Sequence, residues 1–186
     1  VIIATKNKAR RSDSYLAQGG ICVLRDKQDY DSFYEDTMKA GHYENNPDSV
    51  HIMIQASQEI IGDLVSYGVN FEINGEELIC TKEGAHSKPR ILFHEDETGK
   101  EITSRLLETA RNRENITIIE NYTMVDLIVE DNECHGIIGH DENEVFSAIQ
   151  ADYTVIATGG IGGIFEHSTN YKHLTGDAIA LALKYD

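Results

Sequence analysis

Residues 11–20 read Arg-Ser-Asp-Ser-Tyr-Leu-Ala-Gln-Gly-Gly, a loop of small and polar side chains after the apolar opening stretch Val1–Ala4. A second stretch, Val155-Ile-Ala-Thr-Gly-Gly160, likewise runs from apolar residues into paired glycines. Glycine lets a ligand approach the backbone closely, and serine and threonine hydroxyls supply hydrogen bonds. Together the stretches predict two strand ends that bind a bulky anionic cofactor, whereas each alone is equally consistent with turn chemistry.

Length and charge exclude several classes of protein. The chain has 186 residues, of which 40% are hydrophobic, and a formal net charge of −16. This length predicts a single domain, 1–186, with a sizeable core. The negative charge disfavours binding to nucleic acid or anionic membranes, and neither a membrane span nor a signal peptide is visible. Cys22, Cys80 and Cys134 lack metal-ligand spacing, which predicts reduced thiols, no metal and a cytoplasmic location.

The apolar periodicity predicts an α/β fold, a doubly wound sheet with an antiparallel excursion. Strands are predicted at Val1–Ala4 (buried), Ile91–His94, Ile116–Glu120, Val125–Glu130, Gly136–Gly139, Val145–Ile149 and Tyr153–Ala157 (the last buried strand). A hairpin is predicted in which the strands Val69–Ile73 and Glu77–Cys80 flank Asn74-Gly75. Helices are predicted at Tyr30–Ala40, Pro47–Tyr67, Gly99–Asn112 with Thr98 as cap, and Ala178–Tyr185. The helix from Pro47 has apolar residues at Val50, Ile54, Ile61, Leu64 and Val65.

A second chemically dense stretch is Lys82–Arg90, which places a carboxylate, an imidazole, a hydroxyl and cations on one loop. Loops held by rigid elements often carry binding sites, although the same composition fits a solvated charged loop. Lys6 has two similar interpretations. It either lies beside a cofactor phosphate or ribose, or is solvated at the end of its strand.

Ser12-x-Ser14-x-x-Ala17-Gln18-Gly19-Gly20 resembles the flavin-binding loop of the superfamily of succinate dehydrogenase, fumarate reductase and L-aspartate oxidase flavoproteins. Further motifs follow in that family's order: Glu35-Asp36-Thr37, Thr98-Gly99, Ala157–Gly160, Thr169-Asn170 and Thr175-Gly176-Asp177. The resemblance implies a partial Rossmann-like FAD-binding domain that lacks the first strand and the capping domain. The family's glycine-rich turn is then expected before Val1 and its catalytic arginine beyond Asp186.

Within this superfamily, three features resemble the L-aspartate oxidase family. Asp13 stands where succinate dehydrogenases carry the histidine that attaches flavin, which implies noncovalent FAD. Residues 83–91, Glu-Gly-Ala-His-Ser-Lys-Pro-Arg-Ile, are similar to the oxidase's Glu-Gly-Gly-His-Ser-x-x-Arg-Ile, with Ala85 replacing one glycine. The dehydrogenases lack the acidic residue seen here as Glu83. A placed carboxylate would hold the α-ammonium group of aspartate and discriminate against plain dicarboxylates.

The resemblance implies a set of site residues. Glu83 would orient the substrate, while His86 and Arg90 either lie near the site or bond the loop structurally. The FAD would lie along Lys6, Ser12, Asp13, Ser14, Tyr15, Leu16, Ala17, Gln18, Gly19, Gly20, Thr123, Met124, Thr158, Gly159, Gly160 and Asp177.

The activity implied is oxidation of L-aspartate to iminoaspartate by hydride transfer from Cα to FAD, with oxygen or fumarate as the acceptor. Quinolinate synthase would consume this product in NAD biosynthesis. The alternative is a flavoprotein subunit of the fumarate reductase or succinate dehydrogenase type. A third interpretation is a flavin-less scaffold. The chain alone is expected to be inactive.

Overall fold

The computed structural model describes residues 1–185, which fall into two compact units. The first unit comprises Val1–Asp13 and the chain from Ala110 onward, and the second comprises Ser14–Thr109. The strands are β1 Ile2–Thr5, β2 Ile21–Cys22, β3 Ile73–Asn74, β4 Glu77–Leu78, β5 Cys80–Thr81, β6 Ile91–Leu92, β7 Thr117–Glu120, β8 Thr123–Glu130, β9 Glu133–His140 and β10 Phe146–Gln150. The α-helices are α1 Asp13–Leu16, α2 Tyr30–Ala40, α3 Pro47–Ser66, α4 Thr98–Arg111 and α5 Asp177–Tyr185, and 3-10 turns lie at Lys27–Asp29 and Gly162–Ile164.

The long helices begin and end at the predicted signals. Helix α2 has the predicted bounds, and Gly41 caps it by donating its N–H to Thr37 O at 3.1 Å. The side chain of Asn46 accepts from Ser49 N at 3.0 Å at the start of α3, with proline in the first turn. The predicted apolar face of α3 is buried except at Val65, which is half-exposed. The prediction is wrong for Val65 alone, because at 100° per residue it lies at the edge of the stripe formed by the other four residues.

In the second unit, helices pack on a small antiparallel sheet with the order β2-β6-β5. One core cluster contains Val23, Ile61, Leu64, Val69, Phe71 and Leu92, and a second contains Phe33, Met38, Val50 and Ile54. The predicted hairpin forms as β3 and β4 but is shorter than expected. Asn74 pairs with Glu77, so the two-residue turn is Gly75-Glu76 and begins one residue later than the predicted Asn74-Gly75, with Gly75 at φ +67°.

In the first unit, β1 and β7 pair in parallel, and β8, β9 and β10 form the predicted antiparallel excursion. Tyr122, which is buried, donates its hydroxyl to Ser147 O at 2.7 Å. A Cβ on Gly139 would lie 2.4 Å from the Tyr122 ring, so only glycine fits at this position of β9. Lys184 of α5 donates to Asp126 of β8 at 2.6 Å.

Two predictions of burial in the first unit were wrong. Strand β1 forms, but Val1 and Ile2 are exposed. Tyr153–Ala157 forms no strand, and Tyr153 and Val155 are 91% and 86% exposed. An apolar run indicates that a stretch is suited to burial, but a strand also needs a hydrogen-bonded neighbour. Among the described residues, none pairs with this stretch, and β1 pairs with β7 alone.

Candidate functional site

The predicted flavin loop lies against two rigid elements of the second unit. A Cβ on Gly20 would lie 2.2 Å from the backbone oxygen of Leu92 in β6. At the start of α4, Gly99 donates its N–H to Ala17 O at 2.9 Å, and a Cβ there would lie 2.2 Å from Ser14 O. Because these approaches leave no room for a side chain, glycine is required at both positions.

The open side of the loop fits a flavin cofactor. The residues from Leu16 to Gly20 are exposed, whereas Ser12, Asp13 and Tyr15 are partly buried. The turn thus presents an apolar side chain and a glycine backbone that a flat ring system with polar edges can approach. The residues of the loop therefore fit the FAD expected from the sequence.

Glu83 lies beside this loop. A Cβ built on Gly19 would be 3.5 Å from Glu83 Oε2 and 3.6 Å from Oε1. The structure thus brings the predicted substrate-orienting carboxylate to the predicted cofactor loop, although the two are distant in sequence. Glu83 is exposed and is therefore free to meet a ligand.

Arg90 is fully buried, with 0% of its side chain exposed. It donates from Nε and Nη2 to the two oxygens of Asp29 at 3.2 and 2.9 Å, and from Nη1 to Asp36 at 2.5 Å. Nη2 also donates to Ser32 Oγ at 3.1 Å, and the guanidinium lies 4.9 Å from the Phe33 ring centre. Its donors face the protein's own acceptors, which is the structural role considered from the sequence.

The electrostatics of this cluster keep Arg90, Asp29 and Asp36 charged. Burial opposes ionisation of Asp36, but hydrogen bonds from Ser87 and Arg90 outweigh it and lower the pKa of Asp36 to about 2. Burial likewise opposes ionisation of Asp29, yet hydrogen bonds from Arg90 and Ser32 lower its pKa. Sequence reasoning missed both aspartates as partners of the loop. A buried arginine requires carboxylates, but nothing in the sequence indicates which ones.

The contacts of His86 determine which of its nitrogens carries the proton. Arg90 Nη1 lies 3.3 Å from His86 Nδ1, and arginine has only donors, so Nδ1 accepts. The tautomer that this contact requires has its proton on Nε2, which lies 3.6 Å from Cys22 Sγ. Burial raises the pKa of the Cys22 thiol despite the nearby Arg90 charge. The pair is consequently a donor and a protonated thiol, not a nucleophile with its base.

In the first unit, Lys6 and Asp177 bind each other. Lys6 Nζ donates to Asp177 Oδ2 at 2.6 Å and to Thr175 Oγ1 at 2.7 Å, so it is not a solvated strand-end lysine. Burial opposes ionisation of Asp177, but the bonds from Lys6 and Thr175 lower its pKa. Asp13 Oδ1 accepts from Tyr171 N at 3.1 Å. The side chains of this unit that are predicted to contact the cofactor therefore also bind to other residues of the same unit.

The remaining predicted cofactor residues lie in the same unit. Thr123 and Met124 begin β8 and are partly buried. Thr158–Gly160 is exposed and irregular; Gly159 has φ +71°, and a Cβ on Gly160 would meet nothing within 4 Å. The positive φ makes glycine the favoured residue at position 159. The roles of these residues toward FAD stay predictions.

Metal-binding clusters and membrane-spanning helices are both absent from the described residues. No group of three or more His, Cys, Asp or Glu side chains is arranged to hold a metal ion, and the three cysteines are free. Within residues 1–185, no helix combines the length and the apolar character needed to cross a membrane.

Comparison with known proteins shows consistent similarity. The chain is 45% identical to the L-aspartate oxidase of Clostridium perfringens over 99% of its own length, and 42% identical to that of Clostridium acetobutylicum over all of it. It spans 42% and 43% of those relatives, which is less than half of their length. The predicted similarity to that family is thereby confirmed.

Solved structures agree on the fold. Mycobacterium smegmatis Sdh1 in complex with UQ1 matches all of this chain and 34% of its own, with a TM-score of 0.90 and 28% identity. A quinol-fumarate reductase with menaquinol molecules matches with a TM-score of 0.93 over all of this chain and 33% of its own, and its 23% identity supports the fold alone. The family model described as FAD binding domain matches residues 1–185, which confirms the Rossmann-like flavoprotein fold and FAD as the cofactor. The chain therefore belongs to the FAD binding domain family.

Proposed function

We propose that this chain is the FAD-binding part of an enzyme that oxidises L-aspartate to iminoaspartate. The observation that carries the proposal is the Glu83 carboxylate, which lies beside Gly19 of the flavin loop. The whole-chain similarity to L-aspartate oxidases supports it. FAD, when bound, supplies the two-electron oxidation of the substrate.

The task of Glu83 in this reaction is to bind and orient the substrate. Its charge complements the α-ammonium group of aspartate, and charge-assisted hydrogen bonds of this kind are short and directional. A dicarboxylate without the ammonium group leaves Glu83 unpaired beside like-charged carboxylates, so the site discriminates against it.

We further propose that the FAD is held noncovalently and that both units belong to one domain. Asp13 supports the first point, because an aspartate at this position already accepts from Tyr171 N and offers no ring nitrogen for attachment. Denaturation in acid should release all the flavin into the supernatant. The family match over residues 1–185 supports the single domain.

The acceptor and partners proposed are oxygen or fumarate for reoxidation and quinolinate synthase as consumer of the product. The three free cysteines fit a reducing compartment, and the proposed location is the cytoplasm. A mixture of the purified enzyme with quinolinate synthase, aspartate and the synthase's second substrate should yield quinolinate.

The decisive experiment reconstitutes the full-length protein with FAD under anaerobic conditions and adds L-aspartate or succinate. Bleaching of the oxidised-flavin absorption by aspartate alone supports the proposal. Bleaching by succinate alone assigns the protein to the succinate dehydrogenase type, the second candidate, which the Sdh1 likeness favours. A protein that retains no FAD would support the scaffold interpretation.

Substitution of Glu83 tests the residue itself. Glu83→Gln keeps the shape but removes the charge, and hydrogen bonds to charged groups are worth about 1.5–3 kcal/mol. The KM for aspartate should therefore rise about tenfold or more. Glu76→Gln, the same change at an exposed turn of the β3–β4 hairpin, should leave KM unaltered. An unchanged KM in Glu83→Gln would contradict its role.

A further inference from the structure

Asp36 has contacts that reach directly into the turn carrying Glu83. Its Oδ2 accepts from Ser87 N and from Ser87 Oγ, both at 2.7 Å. The same oxygen accepts from Arg90 Nη1 at 2.5 Å. One carboxylate oxygen therefore holds the exposed end of the turn and the buried arginine that follows it. Ser87 lies 51 residues away in sequence, so this is a tertiary constraint and not local turn chemistry.

The turn itself is short and unusual in its backbone. His86 N donates to Glu83 O at 3.4 Å, which closes residues 83–86. Ala85 within it has φ +68°, in the left-handed region that a residue with a Cβ seldom adopts. A conformation of this kind persists when the surrounding structure fixes the segment at its ends.

Arg90 binds the turn at His86. Nη1 donates to both Asp36 and His86 Nδ1, so the arginine holds the imidazole that follows Ala85. Asp29 holds the other side of the guanidinium and pairs with Lys88 Nζ at 3.5 Å, but among the described hydrogen bonds it makes none with residues 83–87. The two aspartates therefore share Arg90 as a partner, whereas Asp36 alone contacts the turn.

We propose that Asp36 is a positioning residue for Glu83. By binding Ser87 and Arg90, it fixes the turn Glu83–Ser87 and thereby the place of the Glu83 carboxylate beside Gly19. This inference rests on the proposed function, in which Glu83 pairs with the substrate ammonium group. It makes Asp36 a determinant of specificity, because a ligand that carries the ammonium group gains its ion pair only when Glu83 is held in place.

The test uses the full-length holoenzyme with Asp36→Ala and with the milder Ser87→Ala. Ser87 is exposed, and its substitution removes only the Oγ bond of the three hydrogen bonds that Asp36 Oδ2 accepts. Hydrogen–deuterium exchange should become faster in the peptide covering residues 83–88. The KM for L-aspartate should rise about tenfold in Asp36→Ala and less in Ser87→Ala, with kcat within about twofold of wild type. The KM for fumarate as acceptor should not rise, since fumarate carries no ammonium group that pairs with Glu83.

Asp29→Asn is the matched control. It removes the charge that pairs with Arg90 and, at 3.5 Å, with the half-exposed Lys88, but no hydrogen bond to the turn Glu83–Ser87. It should therefore lower stability like Asp36→Ala but leave the KM for aspartate unaltered. A merely structural role for Asp36 would make the two variants alike in KM, and that result would overturn the proposal.

Two further outcomes separate this inference from the proposed function. If Glu83→Gln raises the KM for aspartate but Asp36→Ala does not, the positioning role fails and the proposed function stands. If Glu83→Gln leaves KM unchanged, the substrate-binding role of Glu83 fails and the positioning role fails with it, whereas bleaching of the flavin by aspartate still decides the proposed function. Unchanged exchange in residues 83–88 of Asp36→Ala would overturn the anchoring step independently of any substrate.

Discussion

Replacement of Asp29 by asparagine should destabilise the protein strongly. The side chain of Arg90 is 0% exposed and that of Asp29 3%, and they share two hydrogen bonds of 3.2 and 2.9 Å. Removing one partner of a buried ion pair leaves an uncompensated charge and costs roughly 3–5 kcal/mol. Arg90 retains Asp36, so we expect the lower end, about 3 kcal/mol. At a urea m-value of about 2 kcal/mol/M, the unfolding midpoint should fall by about 1.5 M.

Equilibrium urea unfolding of the purified protein, followed by far-UV circular dichroism, measures this shift. The control is Glu97→Gln, which breaks the exposed ion pair with Lys100 in α4. Exposed pairs contribute little, so its midpoint should match wild type. The reasoning is refuted if Asp29→Asn unfolds at the same urea concentration as Glu97→Gln.

Three further predictions concern the pH dependence of Asp36, alanine substitution of two glycines, and the N-cap of α3. The pKa of Asp36 is about 2 in the folded protein, so its contribution of about 2 kcal/mol to stability is present above about pH 4 and disappears as the pH falls toward 2. The difference in stability between wild type and Asp36→Ala should therefore close between about pH 4 and about pH 2. A difference that stays constant with pH would contradict this. Gly20→Ala would place a Cβ 2.2 Å from Leu92 O and should reduce the FAD retained after gel filtration. Gly62→Ala, where a Cβ on α3 would meet nothing within 4 Å, should instead raise the stability of the protein by about 1 kcal/mol. Asn46→Ala removes the cap of α3 and should cost about 1 kcal/mol in urea unfolding; a shift below about 0.3 kcal/mol would show that the cap is dispensable.

Much of the local structure was predictable from signals within a few residues. Asn46-Pro47 starts α3, Gly41 and Gly68 end the long helices, and Gly75 turns the β3–β4 hairpin. These signals act through hydrogen bonds and backbone angles of neighbouring residues, so a single sequence contains the information.

The loop motifs pointed to the flavoprotein family in the same way. The pattern Ser12–Gly20 and the turn beginning at Glu83 were recognisable from residue types and order. Their roles toward FAD and substrate stay predictions, since they depend on ligand contacts. The strand at Tyr153–Ala157 was predicted wrongly, because apolar composition does not supply the neighbour that a strand requires.

The sequence by itself determined the helix ends, the hairpin and the type of cofactor loop. Only the tertiary structure decided that Arg90 binds Asp29 and Asp36, which are 61 and 54 residues away, and that Glu83 lies beside Gly19. The physical reason is that a charge specifies the kind of partner it needs but not its position. That position follows from the fold, which brings α2 and the 3-10 turn before it against the residue that precedes β6.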